Sequence, residues 1–473
     1  MDRDLVDRLF EEDVLPALDA YTRIPCLSPA YDPDWAAGGH LDRAAALLAE
    51  WCAQRPVPGL AVEVVELAGR TPVLLVEAGG DAPGTVLVYG HLDKQPPQGV
   101  WQEGLGPYLP VRRGDLLYGR GTADDGYSVF AALTALQTAV TARAALPRVV
   151  VLIEASEESG SPDLPAHLAA LTERIGRPDL VVCLDSGCLT YDRLWRTSSL
   201  RGNVVATVRV DVLTEGVHSG LAGGLVPSSF RILRRLLSRV EDERTGEILL
   251  PELRAEVPGD VREALRAVAA ELPGVASDDL PTVDGLVLAG RDDAERLVDR
   301  SWSTALALTG MDGIPSVRDG GNVLRPFTEA KCSIRLPPTV DAAKAADALV
   351  AALAADPPEG ATVTVELESA ADGWLAPDPA PWVAGALDRA SEACFGRASA
   401  TYAEGGSIPF LAALAEQFPG IQLVATGVLG PGSNAHGPNE CLHVPMAKAV
   451  TVAVAELVAA AGRDRNYPAH SGG

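Results

Sequence analysis

The chain is short of aromatics, methionine and positive charge. Phe, Trp and Tyr make up 5% of its 473 residues and methionine occurs three times, so burial must fall to alanine, leucine and valine. Lys and Arg number 39 against 64 Asp and Glu, a formal net charge of −25. A field of that sign repels nucleic acid and anionic membranes, and neither is expected as a partner. The seven cysteines (Cys26, Cys52, Cys183, Cys188, Cys332, Cys394, Cys441) contain no CxxC pair. That argues against a disulfide framework and against a thiolate zinc site. Free thiols suit a reducing compartment, so the cytoplasm is the expected location. The N-terminal MDRDLVDRLFEED is charged and lacks an apolar signal core. No run of about 18 apolar residues predicts a membrane span.

What is present is ordinary globular material, 47% hydrophobic and 22% charged, in a chain long enough for two or three domains. Helices are predicted over 2–20 and 40–54. Apolar strands (TPVLLVEAG, TVLVYG, RVVVLIEAS, DLVVCLDSG) then alternate with helical stretches (YSVFAALTALQTAV, DLPAHLAALTERI). This rhythm predicts an α/β domain: a mixed, mostly parallel sheet sandwiched by helices. After about residue 200 the pattern changes. GNVVATVRVDVLT alternates like a strand with one wet face, an arginine-bearing helix follows, and 241–300 reads as a long acidic, irregular stretch. EAKCSIRLP, DAAKAADALVAALAA and ATVTVELES then read as strand, helix and strand. The expected organisation is a first domain over 1–199, an inserted α+β unit over 200–372, and a return to the first domain over 373–473. The proline-rich 374–382 is the expected linker, followed by a helix at 382–395, the strand IQLVATGV and a helix at 445–462. The tail RNYPAHSGG is expected to be disordered.

The chemistry gathers at strand ends. VLVYGHLDKQPP ends an apolar strand on His91, with Asp93 two positions on. Asp124 and Asp125 lie in GRGTADDG, Glu157 and Glu158 in SEESGS, Asp185 in LDSG, and His436 in AHGPNE. Ligand sites of open α/β sheets lie beyond the carboxyl ends of strands. Each piece has a plain rival. Asp-Asp in a glycine loop is more often a turn, Glu-Glu before Ser-Gly-Ser can cap a helix, and Asp185 can make an Asx-turn. Together, two imidazoles and several carboxylates suit two borderline divalent cations. Of the paired glutamates, one can bind metal while the other acts as general base.

GHLDKQPP, YGRGTADDG, SEESGS, LDSG and AHGPNE, in this order, resemble the dizinc exopeptidases that include carnosinase, cytosolic nonspecific dipeptidase and glutamate carboxypeptidase. The resemblance covers nearly the whole chain. It implies two Zn2+ ions, with Mn2+ or Co2+ also acceptable, held by His91, Asp124, Glu158, Asp185 and His436, Asp124 bridging. It implies that Asp93 orients His91 and that Glu157 is the general base. The inserted unit would be a lid that pairs two subunits into a homodimer. His218, in TEGVHSGLAGG, would reach the partner's site and stabilise the oxyanion. Asn322 (GGNVLRP), Arg335 (CSIRLPP), and Gly406 and Ser407 (EGGSIPF) would bind substrate, Arg335 clamping a carboxylate. The implied reaction is metal-dependent hydrolysis of a peptide bond in dipeptides or at the C-terminus of small peptides. Deacylation of N-acetyl or N-succinyl amino acids is the alternative, and a catalytically silent peptide-binding dimer a third. One departure is visible. Many relatives read DDKG, whereas this chain reads Asp124-Asp125-Gly126-Tyr127.

Overall fold

The computed structural model describes residues 1–463 except 279, 407 and 419. Ser407 and the tail over 465–473 therefore lie outside the described residues. The chain forms two compact units. The first takes residues 1–198, 376–402 and the chain from Ala413 onward; the second takes 199–375 and 403–412.

The first unit is built on a six-stranded sheet. Its spatial order is Ala61–Val65, Val73–Ala78, Arg148–Glu154, Thr85–His91, Leu180–Cys183, Gln422–Ala425. The last four run parallel and the first two add antiparallel pairings, so the sheet is mixed and mostly parallel. Its central strands are near-continuous Val, Leu and Ile, buried on both faces, as strands covered by helices on two sides must be. The helix Tyr127–Thr141 is buried along almost its whole length and packs against Val444–Arg463. Trp51 meets Phe130 edge-on, with centroids 4.7 Å apart.

Val444–Arg463 is, among the described residues, the one helix long and apolar enough to cross a membrane, and 89% of its apolar window is buried inside the protein. It was expected simply as a helix. Its apolar length reflects a core position between Tyr127–Thr141 and Pro381–Phe395.

The second unit has a four-stranded antiparallel sheet, ordered Ala305–Asp312, Phe327–Leu336, Gly202–Asp211, Thr362–Ala371. Gly202–Asp211 alternates strictly between buried and half-exposed residues. Its inward valines pack with Ile232, Leu233 and Leu236 of the helix Ser229–Leu237 and with Ala345, Leu349 and Leu353 of the helix Ala342–Ala354. Each buried Val, Leu or Ile among them contributes roughly 1.5–3 kcal/mol.

The expected first helix runs without a break from Arg3 to Thr22, with a π-helical turn, Phe10–Val14, inside it. The structure corrects two expectations. The acidic stretch 241–300 is not irregular throughout, for it holds the helices Gly259–Glu271 and Asp293–Ser301, which share a small core around Leu265, Leu297 and Trp302. The linker begins as a strand, with Trp374 and Leu375 paired to Leu200 and Ser199.

Candidate metal centre

The parallel strands of the first unit deliver their chemistry at one end. His91 is the last residue of Thr85–His91 and lies in register with Glu154, the last residue of Arg148–Glu154. One 3-10 turn, Glu157–Ser159, follows that second strand. Asp185 follows Leu180–Cys183, and Asp124 lies in the loop just before the helix Tyr127–Thr141. His436 lies in the loop after Gln422–Ala425, at φ 63°, a left-handed conformation a non-glycine residue holds only when its surroundings impose it.

Asp124 lies between the two imidazoles. Its Oδ1 is 3.1 Å from His91 Nε2 and its Oδ2 is 3.0 Å from His436 Nε2. Glu158 Oε2 is 3.2 Å from His436 Nε2, and Asp185 Oδ2 is 3.9 Å from His91 Nε2. Two groups thus bring ligand atoms within 4.8 Å of one another: His91 with Asp124 and Glu158, and His91 with Glu157 and Asp185. Asp93 faces the other side of His91, its Oδ1 3.5 Å and its carbonyl oxygen 3.1 Å from Nδ1. The Asp93 carboxylate also accepts the backbone N–H groups of Glu157 (3.1 Å) and Glu158 (3.0 Å). It therefore ties the histidine and the glutamate pair into one rigid piece.

The electrostatics are those of a crowd of acids. Burial alone would lower the pKa of His91, but hydrogen bonds to Asp124 and Asp93 and the charge of Asp185 raise it well above 6.5. The His436 side chain is 55% exposed, so burial weighs less on it than on His91, and Asp124 and Glu158 push it up to about 11. Burial and then the charge of Asp185 raise Glu157; burial and then the charge of Asp124 raise Glu158. Burial opposes ionisation of Asp124 as well, and the two imidazoles overcome it and hold its carboxyl low. Carboxylates packed this densely in a largely buried cluster suit divalent cations, which supply the missing positive charge. The donor set of imidazole nitrogen and carboxylate oxygen fits such ions.

Several supporting residues lie inside the same motifs without a role that sequence alone assigns. Gln95 Nε2 donates to Glu158 Oε2 at 2.8 Å. Buried Glu440 accepts the N–H groups of Gly121 (3.0 Å), Ala123 (3.2 Å) and Asp124 (3.2 Å) and pairs with Arg120 at 2.5 Å. Arg120 also donates to the carbonyls of Gly437 (2.7 Å) and Pro96 (3.1 Å), so one buried pair joins three site loops. Asp125 Oδ2 accepts the His91 N–H at 3.2 Å. Glu440 lies in the AHGPNE stretch, where an acid four positions after the last candidate ligand, His436, is the available clue.

The remaining sequence-derived residues lie in the second unit. His218 is exposed, its Nδ1 accepting from Gly220 N at 3.1 Å. It pairs with Val323 in a two-residue ladder, and Asn322 O accepts from Ser219 N at 2.9 Å, so His218 and Asn322 share one corner. Arg335 lies opposite Asn203 and Ala305 in the sheet. Gly406 O accepts the Arg201 N–H, and Gly405 O accepts from Arg201 Nε, both at 2.9 Å. Burial, helped by the charges of Arg335 and Arg300, lowers the Arg201 pKa to about 10.

The family model for peptidase family M20/M25/M40 matches residues 87–460. The cysteinylglycine-S-conjugate dipeptidase of Corynebacterium striatum is 29% identical over 395 residues, covering 82% of this chain and 83% of that protein. Human carnosine dipeptidase 1 superposes with a TM-score of 0.80 at 23% identity, over 97% of this chain and 98% of that one. The dipeptidase Dug1p of Saccharomyces cerevisiae superposes with a TM-score of 0.81 at 21% identity, over 98% of both chains. At these identities the superpositions speak to the fold alone, and the family match covers most of the chain. The chain belongs to peptidase family M20/M25/M40 and is a hydrolase of the metallopeptidase type.

Proposed function

We propose that the protein hydrolyses dipeptides, and the C-terminal bond of small peptides, with two divalent cations, zinc foremost and manganese or cobalt acceptable. The observation that carries this reading is Asp124, one carboxylate spanning two imidazoles and flanked by Glu157, Glu158 and Asp185. His91, Asp124, Glu158, Asp185 and His436 would hold the ions. When bound, such ions would polarise the scissile carbonyl and acidify the attacking water.

The chain's own residues do the rest. Glu157 lies within 4.8 Å of His91 and Asp185, close enough to be a ligand or a base. Its adjacency to Glu158, already engaged by His436 and Gln95, favours the base. In that role Glu157 takes a proton from the attacking water and returns it to the leaving amine. Asp93 keeps His91 and the glutamate pair in register. Arg335, with Gly406 and Ser407, would receive the substrate carboxylate, Asn322 would add a polar contact, and His218 would donate to the oxyanion. The lid would pair subunits. In support, Ala305–Asp312 is an edge strand with Leu308 and Met311 exposed, an edge that a second copy would cover. Seven free cysteines support a reducing, cytoplasmic setting.

A panel of dipeptides and N-acyl amino acids, with added zinc or manganese, tests the reading on wild type and Glu157→Ala. Wild type should prefer dipeptides. Glu157→Ala should keep its metal content and lose about 10²–10⁴-fold in kcat. Wild type that binds two ions and cleaves only N-acyl amino acids would move the assignment to deacylation. An active Glu157→Ala would remove the base.

A further inference from the structure

The second unit contains a cavity of about 650 Å³ that the peptidase chemistry does not use. Its walls come from 241–248, 254–262 and 289–306, together with Pro337, all within the inserted unit. The volume is that of a small-molecule site. Most charges on the wall are already engaged. Arg254 pairs with Glu247 at 2.9 Å, Glu295 with Arg291 at 2.5 Å, and Asp299 accepts from Ser303 Oγ at 2.9 Å. Two are held more loosely: among the described residues, neither Glu241 nor Arg262 has a side-chain hydrogen bond or close ion pair, and the exposed Arg262 reaches Glu295 only through its charge. Desolvation raises the Glu241 pKa, as for a carboxylate half-buried without a cation. Trp302 is part of the same wall, 1% exposed, and its buried indole Nε1 has no hydrogen-bond partner. Between the charges the wall is apolar, with Ile248, Val257, Val298 and Leu306.

We propose that this cavity is a second binding site, taking a small zwitterion of the α-amino acid class. An acid and a base of one cavity, neither held by a hydrogen bond or a close ion pair, match a ligand that carries both charges. The ammonium would meet Glu241 and the carboxylate Arg262, while the aliphatic wall takes the side chain. Acidic residues outnumber basic ones on the wall, which favours neutral or cationic side chains over acidic ones. The wall also touches the lid's loop. Arg201, which holds Gly405 and Gly406, donates from Nη1 to the carbonyl of Ser303 at 3.2 Å. The inference does not depend on the dipeptidase reading, because it can be tested without turnover.

The experiment is calorimetric titration of the metal-stripped full chain with L-leucine and L-lysine. 3-Methylbutylamine and 4-methylpentanoate, the single-charge counterparts of leucine, serve as controls. At least one amino acid should bind at a single site, and each control should bind at least about tenfold more weakly. Glu241→Gln and Arg262→Gln should each cause a similar loss, and Arg335→Gln should not. Binding unchanged in both cavity variants, binding abolished only by Arg335→Gln, equal binding of the bare amine, or no binding of either amino acid would each overturn the proposal.

Discussion

Glu154 shows how closely the metal centre depends on the acids behind it. It is fully buried next to His91 and accepts from Tyr89 Oη at 2.5 Å, Ser161 Oγ at 2.9 Å and Ser156 Oγ at 3.1 Å. Burial, opposed by the Tyr89 hydrogen bond and reinforced by the charge of Asp93, raises its pKa from 4.5 to about 7. A folded-state value above the unfolded one means stability that is complete below pH 4.5 and is lost as pH rises through 7. Glu154→Gln keeps the shape and removes the titration. In metal-free protein its melting temperature should match wild type near pH 4.5 and exceed it above pH 7, by the equivalent of roughly 1–3 kcal/mol. Parallel pH profiles for the two proteins would refute this. The Arg120–Glu440 pair is a second residue-scale test. Glu440→Ala leaves Arg120 buried and three backbone donors without an acceptor, and should cost about 3–5 kcal/mol. Denaturant unfolding reads that loss, and Arg120→Ala should produce a loss of the same order.

At the scale of elements, the parallel strands end where the candidate ligands begin, and the packing behind those ends is tight. A Cβ at Gly90 would lie 2.3 Å from Ser128 Oγ and 2.4 Å from Asp125 Oδ2. The strand can approach the helix Tyr127–Thr141 closely enough for Asp125 to hold the His91 N–H only because residue 90 has no side chain. Gly90→Ala should destabilise by about 1–3 kcal/mol through overpacking and should weaken metal binding through displacement of His91. Thermal unfolding together with a zinc titration checks both effects; a variant with native stability and affinity would contradict the packing argument. The elements also explain where sequence pattern failed. Ala305–Asp312 is exposed along almost its whole length and is broken by a bulge between Leu308 and Gly310, so it has no alternation to read. Asp293–Ser301 did carry a signal: Asp292 caps it, accepting from Glu295 N at 2.9 Å, an Asp-x-x-Glu start hidden in a run of acids.

For the whole molecule, charge and metal are coupled. A chain of net charge −25 that gathers several carboxylates in one buried cluster should be stabilised by cations that neutralise them. Chelation should lower the melting temperature, and zinc at 100 times its Kd should restore about 2.7 kcal/mol. A melting temperature indifferent to both would argue against a metal centre. Assembly has its own test. If the edge strand Ala305–Asp312 joins two lids, Met311→Glu should yield monomers in sedimentation or light scattering, with the metal content intact. Wild type that is monomeric at micromolar concentration would remove the proposed role of His218 across subunits.

The ligand candidates were legible because they are local. His91, Asp185 and the Glu157–Glu158 pair each lie within a few residues of an apolar strand's end, and glycine punctuates the loops of Asp124 and His436. Period, punctuation and residue type are properties of short windows, so the linear chain specifies the fold class and the candidate donors. Arg120 and Glu440 stand 320 positions apart, Gln95 and Glu158 63 apart, and no short window joins them. Which charges would be satisfied by one another, and which, like Glu241 and Arg262, would be left facing a cavity, was decided only by tertiary packing. Pairing depends on distance in space, and distance in space exists only once the sheet and its helices have closed.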